Sequence, residues 1–139
     1  MALTNEQLLA QACEARTHAY TPYSHFQVGA ALLTKDGKVY QGCNIENAAY
    51  GPSVCAERTA FFKAVYEGER NFDRIAIVGG KEGSASDQTC APCGVCRQVM
   101  MEFCDPDRFC IILADGKGGC AEYTLREILP LGFGPQNLA

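Results

Sequence analysis

A chain of 139 residues, 47% apolar and 20% charged, suits one soluble domain with a real hydrophobic core. A net charge of −4 and scattered Lys and Arg provide no basic stripe, which disfavours a nucleic-acid backbone as partner. No apolar run reaches the ~18 residues needed to span a bilayer, and Met1 to Arg16 lacks the basic-then-apolar profile of a signal peptide.

Thr4-Asn5-Glu6-Gln7 has the spacing of a capping box, in which two side chains satisfy free amides at a helix start. Leu8, Leu9, Ala12, Ala15 and Ala19 then repeat at helical period, predicting a first helix to about Ala19. Thr21-Pro22-Tyr23-Ser24 breaks it. Phe26 to Thr34 reads as a strand, Lys35-Asp36-Gly37-Lys38 as a hairpin turn, and Val39 to Cys43 as the returning strand. From Cys55 to Glu67 a helix is predicted by Ala56, Ala60, Phe61, Ala64 and Val65, with Gly68 as its stop. Arg74 to Val78 is a short apolar strand, and Lys81 to Gln88 is a polar loop. Pro92 stands where a helix can begin without a backbone N–H, and that helix reaches about Phe103. Phe109 to Ala114 and Cys120 to Thr124 read as strands joined by Asp115 to Gly119. Thr124-Leu125-Arg126-Glu127 opens a short helix through a second capping box, and Leu131 to Ala139 has no clear period. The order α-β-β-α-β-α-β-β-α predicts an α/β fold: a single three-layer α-β-α domain over residues 1–139, built on a five-stranded mixed sheet.

Nine cysteines, an odd number without an export signal, read as reduced thiols of a cytoplasmic protein. Cys55-Ala56-Glu57 is followed, 38 positions after Cys55, by Pro92-Cys93-Gly94-Val95-Cys96. Cys93 and Cys96, three apart at a helix start, can share one cation, and Cys55 opens another helix. The positive ends of two helices stabilise thiolates, and zinc suits soft sulfur ligands. Three cysteines leave a fourth position for water, the arrangement of a catalytic zinc site. Such a site needs a proton carrier, and Glu57 is the candidate, since neither histidine falls within the motif. Three thiolates on a divalent cation sum to −1, and Arg58 can offset that by hydrogen-bonding to sulfur.

In these motifs the chain resembles the small homotetrameric cytidine deaminases. The Cys-x-Glu…Pro-Cys-x-x-Cys pattern marks zinc deaminases in general. The resemblance extends from Pro22-Tyr23-Ser24 to Phe133-Gly134-Pro135, through Val28-Gly29-Ala30-Ala31 and Cys55-Ala56-Glu57-Arg58-Thr59-Ala60. The segment from Gly42 to Tyr50, with its Asn44-Ile45-Glu46-Asn47 core, narrows it to nucleosides. It implies one Zn2+ per subunit, held by Cys55, Cys93 and Cys96, and a small nucleoside substrate; the acidic charge and the lack of a long apolar run predict no nucleic-acid or membrane partner. It implies hydrolysis of free cytidine and deoxycytidine to uridine and deoxyuridine plus ammonia, in pyrimidine salvage. A water activated on zinc adds at C4 of cytosine, while Glu57 carries a proton to N3 and then to the departing amine. By the same resemblance Asn44 and Glu46 hydrogen-bond the ribose, chiefly its 3′-hydroxyl. Phe26 packs on the pyrimidine and the Ala56 amide meets the base carbonyl. Tyr50 and Phe133 complete the pocket of a neighbouring subunit in a homotetramer.

Other readings share these residues. Cys90, three positions before Cys93, permits a closed four-cysteine structural site. Cys13, Cys43, Cys104, Cys110 and Cys120 read as small buried hydrophobes. Asn44 alone could be a turn residue, Glu46 a surface charge, and Phe26 and Phe133 core or interface residues. A deaminase of aminoacylated cytosine antibiotics would carry the same zinc motif, and so would a nucleic-acid base editor, which the acidic chain disfavours.

Overall fold

A computed structural model describes residues 3–139, so the first two residues of the predicted domain lie outside it. Helix α1 is Asn5–Arg16, strands β1 and β2 are Phe26–Thr34 and Val39–Cys43, and helix α2 is Ala56–Tyr66. Strand β3 is Phe72–Lys81, helix α3 is Gly94–Phe103, strands β4 and β5 are Cys110–Ala114 and Cys120–Thr124, and helix α4 is Leu125–Ile128. A 3-10 turn follows at Pro135–Asn137.

The strands form one five-stranded sheet in the order β2-β1-β3-β4-β5. The β3–β4 pair is parallel and every other pair antiparallel. A parallel pair needs a crossover, and α3 lies within it. Side-chain alternation then sorts the core into two halves. Ala30, Leu32, Ile75, Ile77, Ile111 and Leu113 meet α2, α3 and α4 on one face. Ala31, Leu33, Ala76, Val78 and Ile112 meet Leu8 and Ala12 of α1 on the other. The expected three-layer mixed-sheet domain is the observed one.

Both capping boxes form: the Gln7 amide donates to Thr4 Oγ1 at 3.1 Å, and the Glu127 amide to Thr124 Oγ1 at 3.2 Å. Several boundaries differ from expectation, each for a local reason. Helix α1 ends at Arg16 rather than Ala19, because Thr17 Oγ1 donates to the Glu14 carbonyl and the next amides bond only three residues back. Strand β3 is longer than Arg74 to Val78, because β1 pairs with it from Phe26↔Lys81 to Thr34↔Phe72. Pro92 stands outside α3: Cys93, in extended conformation, is the N-cap, and the Pro92 carbonyl accepts from Arg97 Nε at 2.8 Å. Phe109 precedes β4, its amide bonded to the Asp105 carbonyl and its ring buried.

Candidate active site

Helix α2 starts where it does because Gly42, on β2, leaves room for it. A Cβ at Gly42 would lie 2.4 Å from the Ala56 carbonyl oxygen and 2.6 Å from the Ala60 nitrogen, so no larger residue fits beneath the first turn. Cys55 is the N-cap in extended conformation, and Ala56, Glu57 and Arg58 are the first three helical residues. Just upstream, Ile45 and Val54 exchange two backbone hydrogen bonds of 3.0 Å. That bridge carries the Asn44–Glu46 segment to within one residue of Cys55.

The Cys55, Cys93 and Cys96 sulfurs all lie within 4.8 Å of one another. Cys55 to Cys93 is 3.7 Å and Cys93 to Cys96 is 3.6 Å. Zinc–sulfur bonds of ~2.3 Å in a tetrahedron set sulfurs roughly 3.8 Å apart, so the three thiols fit that ion with one corner open. Cys90 is not the fourth ligand; its sulfur packs over Gly79, where a Cβ would come within 2.5 Å of it and 3.2 Å of the Phe26 ring. Burial pushes the Cys90 thiol up to about 11.

Within the cluster, interaction with the Cys96 thiol and the Arg58 guanidinium lowers Cys55 to about 5, and Cys96 is correspondingly raised as the proton holder. Arg58 Nη2 donates to Cys55 Sγ at 3.4 Å. Cys55 and Cys93 are the N-caps of α2 and α3, so two helix N-termini meet at the cluster. Glu57 is only 4% exposed, and burial holds its carboxyl up at about 7. A carboxyl with that affinity can both take and give a proton near neutrality.

The residues expected at the nucleoside sit at the start of β1, on the segment between β2 and α2, at the start of α2 and after α4. Asn44 is tied to β1, its Oδ1 accepting from the Val28 amide at 2.9 Å and its Nδ2 donating to the Phe26 carbonyl at 2.8 Å. Glu46 Oε1 accepts from the Tyr23 and Ser24 amides at 3.0 and 3.1 Å, and Oε2 from the Ser24 hydroxyl. These bonds, that from the Ser24 hydroxyl above all, hold the Glu46 carboxyl below the usual range. Each side chain keeps hydrogen-bonding capacity in reserve. Ala56 is fully buried, and as the first residue of α2 it has a backbone N–H with no intrahelical acceptor. Phe26 is 40% exposed at the start of β1. Tyr50 and Phe133 stand far out, 75% and 57% exposed, with Tyr50 edge-on to Tyr23 at 6.3 Å.

A family model described as the cytidine and deoxycytidylate deaminase zinc-binding region matches residues 3–112. A curated cytidine deaminase of Sporosarcina psychrophila is 49% identical over 134 residues, covering 96% of this chain and 94% of its own. The chain belongs to the cytidine deaminase family. It is an enzyme of that family, and zinc is its cofactor. The solved structure of cytidine deaminase from Burkholderia pseudomallei superposes with a TM-score of 0.84 at 46% identity, covering 94% of this chain and 100% of that one. A blasticidin-S deaminase of Bacillus cereus is 33% identical over 130 residues, 91% of this chain and 90% of its own. No helix of this deaminase, among the described residues, is long and apolar enough to cross a membrane.

Two long-range partnerships escape the sequence reading. Ser24 enters the sequence reading as a helix breaker and as part of the Pro22-Tyr23-Ser24 motif, and the structure adds that it bonds to Glu46. Arg16 was read only as part of the first helix, yet its side chain is buried and reaches β1 and the loop after β3. Neither partnership has a local signature, because the contacts span 22 and up to 70 positions of chain.

Proposed function

We propose that this deaminase hydrolyses free cytidine and deoxycytidine to uridine and deoxyuridine, releasing ammonia, as a step of pyrimidine salvage in the cytoplasm. The observation that carries the reading is the join of three thiols at zinc-like spacing with a buried carboxyl poised near neutrality. Cys55, Cys93 and Cys96 are the residues that would hold the ion, one per subunit. When bound, zinc lowers the pKa of a water toward neutrality and so supplies a nucleophile.

The protein's own groups do the rest. Glu57 takes a proton from the attacking water and delivers it to N3 of the pyrimidine as C4 becomes tetrahedral. It then helps protonate the amine, which leaves as ammonia while the C4 carbonyl forms. Arg58 offsets thiolate charge through its hydrogen bond to Cys55. The Ala56 amide, at the positive end of α2, is suited to the base carbonyl. Phe26 offers a face to the ring, and the unused lone pair and N–H of Asn44, with the free lone pair of Glu46, suit ribose hydroxyls.

Residues 1–139 act as one catalytic domain in this reading, and the active unit is a homotetramer. The outward rings of Tyr50 and Phe133 support that, since large exposed aromatics favour a covering partner. The test is a substrate panel at equal zinc loading: cytidine, deoxycytidine, blasticidin S and a single-stranded oligonucleotide. Conversion of the two free nucleosides, with the oligonucleotide untouched, is expected. Preference for the antibiotic or the oligonucleotide would overturn the assignment.

A further inference from the structure

Arg16 sits at the end of α1, 6% exposed, with no carboxylate partner among the described residues. A buried cation without an anion is costly unless its hydrogen bonds are complete. Here they are complete. Nε donates to the Gln27 carbonyl at 3.1 Å. Nη1 donates to the Ser84 carbonyl at 2.9 Å and the Ser86 hydroxyl at 2.6 Å. Nη2 donates to the Lys81 carbonyl at 2.8 Å and the Ser84 hydroxyl at 3.1 Å. Every one of the guanidinium's N–H groups is used, which a lysine with three donors on one atom cannot reproduce.

The acceptors surround Phe26. Gln27 follows it in β1, Lys81 is its register partner at the end of β3, and Ser84 lines the same recess as its ring. Beneath that ring lies Gly79, which gives the aromatic edge its room. The guanidinium thus ties together helix α1, the first residues of β1, the last residue of β3 and the loop beyond it.

We infer that Arg16 is a positioning residue for substrate binding: it fixes the Phe26 ring and the 81–86 segment as a preformed wall for the pyrimidine. The inference rests on the proposed packing of the base against Phe26. Arg16 touches neither the thiols nor Glu57, so its loss is felt in binding rather than in proton transfer. Preorganising a wall before substrate arrives removes an ordering cost from every binding event.

The test is steady-state deamination of cytidine by zinc-loaded Arg16→Lys. KM is expected to rise about tenfold with kcat within about twofold of the parent, and with one zinc retained per chain. The rise is expected to vanish when Arg16→Lys is made in a Phe26→Ala background, as it must if Arg16 acts through that ring. Phe26→Ala alone reads the underlying assignment separately: an unchanged KM there would overturn the base-packing reading and the inference built on it. An unchanged KM in folded Arg16→Lys would overturn the inference alone, as would a kcat loss in step with zinc loss. If Arg16→Lys does not fold, Ser84→Ala combined with Ser86→Ala removes two of the bonds while keeping the arginine. A KM rise of about threefold is then expected, and no rise contradicts the inference.

Discussion

Glu57 follows Cys55 by two positions, and an ideal helix sends such neighbours to different sides. The conflict disappears because Cys55 is an extended N-cap and Glu57 belongs to the first turn, so both serve the space beyond the helix end. Spacing alone made the three-thiol cluster legible, since Cys-x-x-Cys at a helix start and a distant Cys-x-Glu are local patterns. Cys90 shows the limit of spacing: it is as close to Cys93 in sequence as Cys96 is, yet it packs over Gly79. Cys90→Ala is therefore expected to keep one zinc per chain, whereas Cys93→Ala loses it, as metal analysis after dialysis would show. Arg58→Ala is expected to weaken zinc retention and lower turnover by about tenfold, because one charge-assisted bond to sulfur is worth ~1.5–3 kcal/mol at most. A competition titration against a chromophoric chelator, beside the assay, measures both. Unchanged values would remove Arg58 from the charge balance.

Elements were legible wherever a local rule fixes them. Capping boxes at Thr4 and Thr124 and the hairpin between β1 and β2 need only their own residues. Boundaries set by distant partners were not legible. The length of β3 comes from its pairing with the nine residues of β1, and Gly79 and Gly80 sit inside it rather than at its end. The seat of α2 on Gly42 belongs to the same class, a long-range fit that a single sequence does not display. Gly42→Ala is expected to push the first turn outward and to cost about 2 kcal/mol of stability, in the range for overpacking a tight core. Urea unfolding reads the stability, and a parallel fall in turnover is expected because Cys55, Ala56 and Glu57 ride on that turn. A variant as stable and active as the parent would show that the contact does not position the site.

At the scale of the whole molecule, the parallel pair β3 and β4 is joined by the crossover that carries α3. That topology brings Cys93 and Cys96 beside Cys55 although 38 positions separate the two motifs. Tyr50 and Phe133 both stand in solvent on the single subunit, where the proposed homotetramer would cover them. Light scattering is expected to give a mass four times that of the chain. Tyr50→Ala and Phe133→Ala are expected to raise KM more than they lower kcat, as substrate-wall residues should. A monomer with full activity would mean that the site needs no neighbour.

In the proposed reaction a buried Glu57 moves the proton beside an ion held by Cys55, Cys93 and Cys96. The most direct measurement follows the near-ultraviolet absorbance of cytidine with the parent enzyme, Glu57→Gln and a chelator-treated sample. Rapid conversion by the parent and restoration of the chelated sample by zinc are expected. Glu57→Gln is expected to lose at least about a thousandfold in turnover, with one zinc still bound per chain. Parent-like turnover in Glu57→Gln, or full activity after the metal is removed, would contradict it.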